Sequence, residues 1–285
     1  MYWFTYDRKI IQSFFEHVFP TLEPHEAVTI TTAARKKYMT ASQKETLRAS
    51  PGNGRECTME SRTFWGTPEE LTTKVVQYMK TLYTFIEEDI LTGGDVWCHP
   101  EYGEYPVGYP VEALRVYVGT NPVSMIAAYL QFQKEMLRHT ENLLLLDDVK
   151  DTKPFRSIES TLRTCIHSPG SRSRRVLMDI DIDLHDPEQV LEASPAVTSY
   201  FSSSAKAIYR TTSGFHVLME LPIEDPRITN HPSGEGMKGF LREFEELMEK
   251  SGSLTKEVTF VTSGMMPLPG VSAIPLFKKR DSSFL

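Results

Sequence analysis

Residues 176–183 read VLMDIDID, an apolar strand pattern interrupted by a carboxylate at every second position. Side chains alternate between the two faces of a β-strand, so Asp179, Asp181 and Asp183 are predicted to lie on one face. Ile180 and Ile182 are predicted to pack on the other. Asp is uncommon in strands, and neighbouring carboxylates repel one another unless a cation lies among them. The stretch therefore predicts a strand with one buried face and a candidate active site on the other.

Oxygen ligands of this kind suit hard divalent cations such as Mg²⁺ and Mn²⁺. A pair of such ions held by shared carboxylates is a known arrangement for in-line attack at phosphorus. The structural alternative is a half-exposed edge strand whose acidic face is solvated.

The composition is that of a folded protein without a membrane span. The chain has 285 residues, of which 40% are apolar and 11% aromatic, enough for a large core. Its apolar runs are far shorter than the roughly 20 residues of a membrane helix, and its N-terminus does not resemble a secretory signal. We therefore expect a cytoplasmic protein with no membrane partner. The net charge of −7 argues against coating nucleic acid by bulk electrostatics, but it is compatible with a local basic groove.

The three cysteines, Cys57, Cys98 and Cys165, are widely spaced. Their spacing indicates neither a disulfide framework nor a zinc site with four thiolates, so reduced thiols are expected.

Helix-like and strand-like segments alternate along the chain, which predicts an α+β fold. From residue 176 onward the order is strand, helix, strand, strand, helix, strand, as in a ferredoxin-like or RRM-like sheet module. Residues 1–170 are predicted to form an N-terminal α/β lobe and residues 171–285 the sheet module, packed together as one core. The individual predictions are strands at 27–32, 114–119, 176–183, 206–211, 216–221 and 258–261, helices at 68–90, 123–142 and 237–250, a short helix opening at 186, and a linker at 147–153.

A second polar group, Ser213-Gly214-Phe215-His216, follows the acidic strand by about 35 residues. His216 opens a strand directly after a turn that contains glycine. A histidine in that place can donate to a phosphate oxygen, and Ser213 with nearby turn amides can supply further donors for an anion. A lone histidine at a strand start is more often structural, so the functional interpretation depends on its pairing with the acidic strand in one module.

Together the two groups resemble the motifs of the archaeo-eukaryotic primase superfamily, which includes the primase-polymerases. Residues 176–181 resemble its first motif, which implies Asp179 and Asp181 as metal ligands. The segment Ser213-Gly214-Phe215-His216 resembles its second motif, which implies that His216 contacts the phosphates of the incoming nucleotide, together with Ser213 and Gly214. The motifs cover residues 174–275.

The segment 256–261, followed by a Leu-Pro-Gly turn, resembles the third motif of that family and implies Glu257 as the third carboxylate. The residue before it is Lys256, where the family has an apolar residue. If the first motif is shifted by two residues, the metal-binding pair is Asp181 with Asp183 instead of Asp179 with Asp181. Arg210 and Lys278 are implied as further contacts to the nucleotide.

The resemblance implies a DNA primase-polymerase that carries out template-directed nucleotidyl transfer from an NTP or dNTP with two Mg²⁺ or Mn²⁺ ions. Single-stranded DNA would be its template, and a helicase domain or protein is a further implied partner. Arg35, Lys36 and Lys37, which follow a predicted strand, suit contacts with the template backbone. Two other interpretations stay open: a Mn²⁺-dependent glycosyltransferase with Asp-x-Asp at a strand end, and a non-catalytic nucleic-acid-binding module of the replication-initiator type. The second would usually carry paired aromatic residues where this strand carries acids.

Overall fold

A computed structural model of the chain describes residues 2–35, 56–91, 114–145, 158–184, 187–211, 214–250, 252, 257–261 and 264–275. The fold is mixed α+β, as predicted, and its described strands pair in antiparallel fashion. Within the described residues, none of the helices has the length and apolar character needed to span a membrane.

The strands are β1 (Tyr2–Tyr6), β2 (Glu26–Arg35), β3 (Glu56–Phe64), β4 (Leu114–Gly119), β5 (Val123–Ser124), β6 (Leu177–Asp183), β7 (Ala205–Arg210), β8 (Gly214–Glu220), β9 (Glu257–Val261), β10 (Met265–Pro267) and β11 (Val271–Pro275). The helices are α1 (Arg8–Ser13), which continues as a π-helical turn at Phe14–Val18, then α2 (Pro68–Leu91), α3 (Met125–Leu145), α4 (Ile158–Ile166), α5 (Pro187–Phe201), α6 (Pro226–Thr229) and α7 (Met237–Lys250). A 3-10 turn follows α4 at Pro169–Ser171.

The chain divides into two compact units. The first comprises the described residues within Met1–Val118, Val123–Ser171 and Pro267–Leu285, and the second those within Gly119–Pro122 and Arg172–Met266. The chain therefore enters the second unit briefly at Gly119–Pro122, enters it again at Arg172 and returns to the first unit at Pro267.

In the first unit, β2 lies between β3 and β4, and the short strand β5 pairs with the start of β2. A separate two-stranded ladder joins β1 to β11. Helix α2 is tied to β2 by a buried contact of 2.9 Å between Thr32 Oγ1 and the Tyr78 hydroxyl. It begins with the expected capping pattern, since the Thr67 N–H donates to Glu70 Oε2 at 2.8 Å and the Glu70 N–H donates to Thr67 Oγ1 at 3.3 Å.

The second unit contains a four-stranded sheet with the order β7-β8-β6-β9. Its chain order is β6, α5, β7, β8, α6, α7, β9, so the predicted order of strands and helices is present, with the short helix α6 as an addition. Helices α5 and α7 pack on one face of the sheet. The core there consists of apolar residues from both helices and from β6 and β8, among them Phe201, Phe244, Ile180, Ile182 and Phe215.

Several predicted bounds differ from the structure. The strand predicted at 216–221 begins at Gly214, so His216 lies inside β8 and does not open it. The helix predicted from residue 123 begins at Met125, because Val123 and Ser124 pair with Ala27 and Glu26 instead. The helix predicted as short after residue 186 runs through Pro187–Phe201. The predicted linker at 147–153 lies outside the described residues.

Candidate active site

The face of the four-stranded sheet opposite α5 and α7 carries the three aspartates of β6, and we call it the acid face. The predicted alternation is confirmed, because Ile180 and Ile182 are fully buried in the core on the other side. Asp179 is 2% exposed, while Asp181 and Asp183 are partly exposed. Solvent therefore reaches the acid face from the end of β6 that carries Asp181 and Asp183.

His216 lies on the acid face, on the neighbouring strand β8 and directly opposite Asp181 in the antiparallel register. Its Nδ1 lies 3.0 Å from Asp179 Oδ2 and 3.1 Å from Oδ1, so this N–H donates to the carboxylate. Its Nε2 lies 3.7 Å from Asp181 Oδ1. The sequence motifs are separated by more than thirty residues, and the sheet brings them into one buried cluster.

The charges of this cluster act on the histidine. Burial alone would lower its pKa, since desolvation disfavours the imidazolium. The hydrogen bond to Asp179 and the negative charges of the three aspartates outweigh burial, so the pKa of His216 is raised above its ordinary value. The aspartates therefore favour the imidazolium form of His216 over the neutral ring.

Gly214 brings β8 against β6. A Cβ at this position would lie 1.8 Å from the backbone carbonyl oxygen of Ile182 and 2.9 Å from its carbonyl carbon. Because only glycine permits this approach, the glycine before His216 sets the distance between the histidine strand and the acidic strand. Its role in the structure is close packing of two backbones, beside the nucleotide contact that the sequence motif implies.

Asn121 holds the start of the acidic strand. Its Oδ1 accepts hydrogen bonds from the N–H groups of Val176 at 2.7 Å and Leu177 at 2.9 Å. Its Nδ2 donates to the Leu177 carbonyl oxygen at 2.9 Å. The buried amide therefore takes the place of a neighbouring strand at this point, and the sequence analysis did not identify it because no local pattern marks a residue 55 positions away.

The register of β9 places the predicted third carboxylate. Glu257 occupies the position directly opposite Asp183, Thr259 lies opposite Asp181, and Val261 lies opposite Asp179. The Glu257 side chain itself lies outside the described part of the structure. Four strand residues span about 13 Å, so the Glu257 position is next to Asp183 and distant from Asp179 along the sheet.

Tyr209 and Arg210 lie on opposite faces of the edge strand β7. Tyr209 pairs with His216 and therefore belongs to the acid face, whereas Arg210 pairs with Phe215, whose side chain lies in the core. Burial raises the pKa of the Tyr209 hydroxyl to about 12. Tyr209 is thus a further candidate for the site, and the sequence analysis missed it because its face depends on the register between β7 and β8. The register places Arg210 away from the acid face.

The remaining predicted residues are not brought to this face by the described structure. Arg35 ends β2 in the first unit, and its side chain lies outside the description. Ser213, Lys278 and the pair Lys36 and Lys37 lie outside the described residues altogether.

The donor chemistry of the acid face suits a hard divalent cation, because it carries three carboxylates and one side of it is open to solvent. Among the described side chains, no group of three or more His, Cys, Asp and Glu residues is arranged to hold a metal ion. The predicted set also includes Glu257, whose side chain lies outside the described part of the chain. Asp181 is the carboxylate common to both predicted ligand pairs, Asp179 with Asp181 and Asp181 with Asp183.

Searches of protein-family models, curated proteins and solved structures return no match to this chain.

Proposed function

We propose that this chain is a DNA primase-polymerase of the archaeo-eukaryotic primase type. The observation that carries the proposal is the cluster of Asp179, Asp181 and His216 on one face of an antiparallel sheet. The first two sequence motifs single out these residues, and His216 on β8 contacts both of these aspartates on β6. A coincidental resemblance of two short motifs would not require such contact.

The topology of the second unit gives independent support. Strands β6 to β9 with helices α5 and α7 have the order of a ferredoxin-like module, and the acidic strand is central in it. The histidine strand lies on one side of the acidic strand and the strand with Glu257 on the other. The His216 strand and the Glu257 strand therefore flank the acidic strand on its two sides, with His216 at Asp179 and Asp181 and the Glu257 position at Asp183.

In the proposed reaction a primer or first-nucleotide 3′-hydroxyl attacks the α-phosphorus of an NTP or dNTP, and pyrophosphate leaves. Asp181 would hold divalent cations together with Asp179 or Asp183 and with Glu257. Such cations would supply positive charge to the attacking oxygen and to the triphosphate. His216 in its imidazolium form donates to phosphate oxygens, and Asp179 orients that ring through Nδ1.

The template in this proposal is single-stranded DNA, bound chiefly through its phosphates and therefore in a salt-dependent manner. Arg35, Lys36 and Lys37 are the proposed backbone contacts in the first unit. A helicase domain or protein is the proposed replication partner, and the cytoplasm, where replicating DNA is accessible, is the proposed location.

The test is nucleotide incorporation on single-stranded DNA with Mg²⁺ or Mn²⁺, with and without a primer. We expect metal-dependent products from the wild type and a loss of about 100-fold or more in Asp181→Asn and in His216→Ala. The matched control is Glu246→Gln, an exposed carboxylate on α7, which should retain activity. A folded wild type that gives no product with either metal contradicts the proposal and favours a binding module.

A second measurement separates the two ligand pairs. Divalent cations that bind the folded chain raise its melting temperature, and a lost ligand weakens that rise. If Asp179 and Asp181 form the pair, Asp179→Asn abolishes the Mn²⁺-dependent shift and Asp183→Asn retains it. The reverse result assigns Asp181 and Asp183 as the pair. An equal shift in Asp179→Asn, Asp181→Asn and Asp183→Asn excludes this face as the cation site.

A further inference from the structure

Helix α3 carries a row of large apolar side chains on its exposed side. Ile126, Leu130, Leu137 and Leu144 are 59%, 51%, 60% and 78% exposed. Their spacing of four and then seven residues places them on one line along the helix, and we call them the α3 stripe. Scattered exposed leucines are ordinary on protein surfaces, but an aligned row of four is typical of an interaction surface.

The opposite side of α3 already has partners in the first unit. Ala128 is fully buried. Gln131 Oε1 accepts hydrogen bonds from the Ser168 hydroxyl at 2.5 Å and the Ser171 hydroxyl at 3.4 Å, which ties α3 to the turn after α4. The α3 stripe is therefore a second apolar face on a helix whose first face is packed.

The charges beside the α3 stripe follow a self-complementary pattern. Lys134 and Glu141 lie on the same flank, because each helical residue advances by about 100°. Seven residues separate them by about 10 Å, so they do not pair with each other. In the part of the chain that the structure describes, neither makes an ion pair or a side-chain hydrogen bond. The opposite flank carries Gln133 and Thr140, which are uncharged.

We propose that the α3 stripe is an interface between two copies of this chain, paired through antiparallel α3 helices about a two-fold axis at Leu137. Leu137 then meets Leu137 of the second copy, and Leu130 meets Leu144 of the second copy on each side of the axis. The same surface serves both copies, as a two-fold interface requires.

The charges select the antiparallel arrangement. A two-fold axis perpendicular to both helices keeps like flanks together, so Lys134 of each copy faces Glu141 of the other. In a parallel pair, the charged flank would face the uncharged flank with Gln133 and Thr140. Exposed ion pairs contribute little energy, so they fix orientation while the leucines supply affinity. Three leucine layers make a small interface, and we expect association at micromolar concentration.

The experiment is sedimentation velocity of the full chain over a concentration series from low to several hundred micromolar. The wild type should dimerise, and Leu137→Glu should stay monomeric throughout. Lys134→Glu should raise the dimer dissociation constant roughly two- to thirtyfold, because two like-charged contacts replace two ion pairs. The double variant Lys134→Glu/Glu141→Lys should restore the wild-type value. Gln133→Glu, which adds a charge on the flank without charged partners, is the matched control and should change little.

Any of three results overturns the proposal: a monomeric wild type at all concentrations, a dimer that survives Leu137→Glu, or a double variant that does not recover. Circular dichroism and melting temperature establish that each variant is folded. A cross-linking test keeps the proposal falsifiable if Leu137→Glu unfolds. Mixed Leu130→Cys and Leu144→Cys chains should form a disulfide between copies, beyond the wild-type background, and its absence would exclude the antiparallel register.

Discussion

At position 214 the backbones of β6 and β8 are so close that a methyl group would overlap the Ile182 carbonyl oxygen. The glycine of the Ser-Gly-x-His segment is therefore explained by packing between two strands, independently of any ligand. The same approach carries His216 into contact with the buried carboxylate of Asp179. A backbone requirement and a chemical requirement are thus met by two residues of one strand, Gly214 and His216.

We expect Gly214→Ala to destabilise the protein by about 3 kcal/mol, because β8 must move away from β6 to accommodate the Cβ. Urea denaturation measures the loss. Gly234→Ala is the control. Gly234 has a φ of +68°, and no atom lies within 4 Å of its Cβ position. The free energy of unfolding should therefore fall by only about 1 kcal/mol, from backbone strain alone. Equal losses in the two variants would show that contact with Ile182 is unimportant.

Asn121 is the other residue on which the position of the acidic strand depends. Asn121→Ala leaves the N–H groups of Val176 and Leu177 and the Leu177 carbonyl oxygen without their side-chain partner. We expect a loss of about 3 kcal/mol in urea denaturation, because buried polar groups without partners are costly. The control is Asn142→Ala on the exposed surface of α3, which should be nearly neutral. A neutral Asn121→Ala would mean that the strand start is held by other contacts.

The sequence predicted the acid face because the period of two is local and strong. It also paired His216 with that face, but it could not show that Nδ1 contacts Asp179. Arg210 was selected on its charge, whereas the register of the β7–β8 hairpin turns Tyr209 toward the site instead. That register has an irregularity between Ala205 and Ala207, which no local pattern encodes.

Among the helices and strands, the sequence analysis correctly placed those that are marked by residues of the element itself. The predicted bounds of β4 and α7 match the structure, and α2 begins at Pro68, as predicted. The start of α3 was wrong by two residues, because Val123 and Ser124 pair with a strand almost 100 residues earlier. Ser124 instead caps α3, because its Oγ accepts a hydrogen bond from the Ala127 N–H at 3.1 Å.

Three helices of the second unit meet at one ion pair. Asp225 caps α6, with its Oδ1 accepting from the Arg227 N–H at 2.8 Å, and its Oδ2 accepts from Arg227 Nη2 at 2.7 Å. The guanidinium lies 4.9 Å from the ring centre of Tyr200 on α5 and 5.1 Å from that of Phe240 on α7. The pair therefore connects α5, α6 and α7 above the core.

This pair predicts a pH dependence. The hydrogen bond from Arg227 lowers the pKa of Asp225, although burial works in the other direction. A carboxyl group whose pKa is lower in the folded chain than in the unfolded chain stabilises the fold. This stabilisation is complete at pH values above the unfolded-chain pKa of about 3.9, and it is lost as the pH falls through the folded-chain pKa.

We expect Asp225→Asn, which preserves the helix cap, to cost about 2 kcal/mol at neutral pH and progressively less below about pH 4. Urea denaturation of both proteins at several pH values measures the difference. Glu224→Gln, at a neighbouring exposed carboxyl, should match the wild type throughout. A difference between Asp225→Asn and wild type that does not change with pH would exclude the charge as its cause.

At the scale of the whole molecule, the first unit is assembled from distant parts of the chain. Strand β11 pairs with β1 over five residue pairs, from Tyr2 with Pro275 to Tyr6 with Val271. The turn before β11 is held by Gly270, whose φ is +76° and whose carbonyl oxygen accepts from the Asp7 N–H at 2.7 Å. The second unit is almost continuous, with only Gly119–Pro122 added to Arg172–Met266.

Removal of residues 271–285 should therefore affect the two units differently. Hydrogen exchange should show loss of protection at residues 2–6, because their ladder partner is gone, while β6 and β8 keep theirs. We expect the shortened chain to be destabilised by about 1–3 kcal/mol. Removal of residues 276–285 alone is the control and should preserve protection in β1. Parallel loss in β1 and β8 would mean that the two units unfold as one.

The pairing of β1 with β11 also determines how late in synthesis the first unit can be completed. A ribosome adds about 5–20 residues per second, so β1 emerges on the order of ten seconds or more before its partner exists. During that interval the N-terminal strand presents an unpaired edge, which is the kind of surface that chaperones protect and that aggregation exploits. The last strand of the acid-face sheet ends at Val261 and β11 begins at Val271, so the proposed catalytic sheet and the ladder that closes the first unit become possible at nearly the same time.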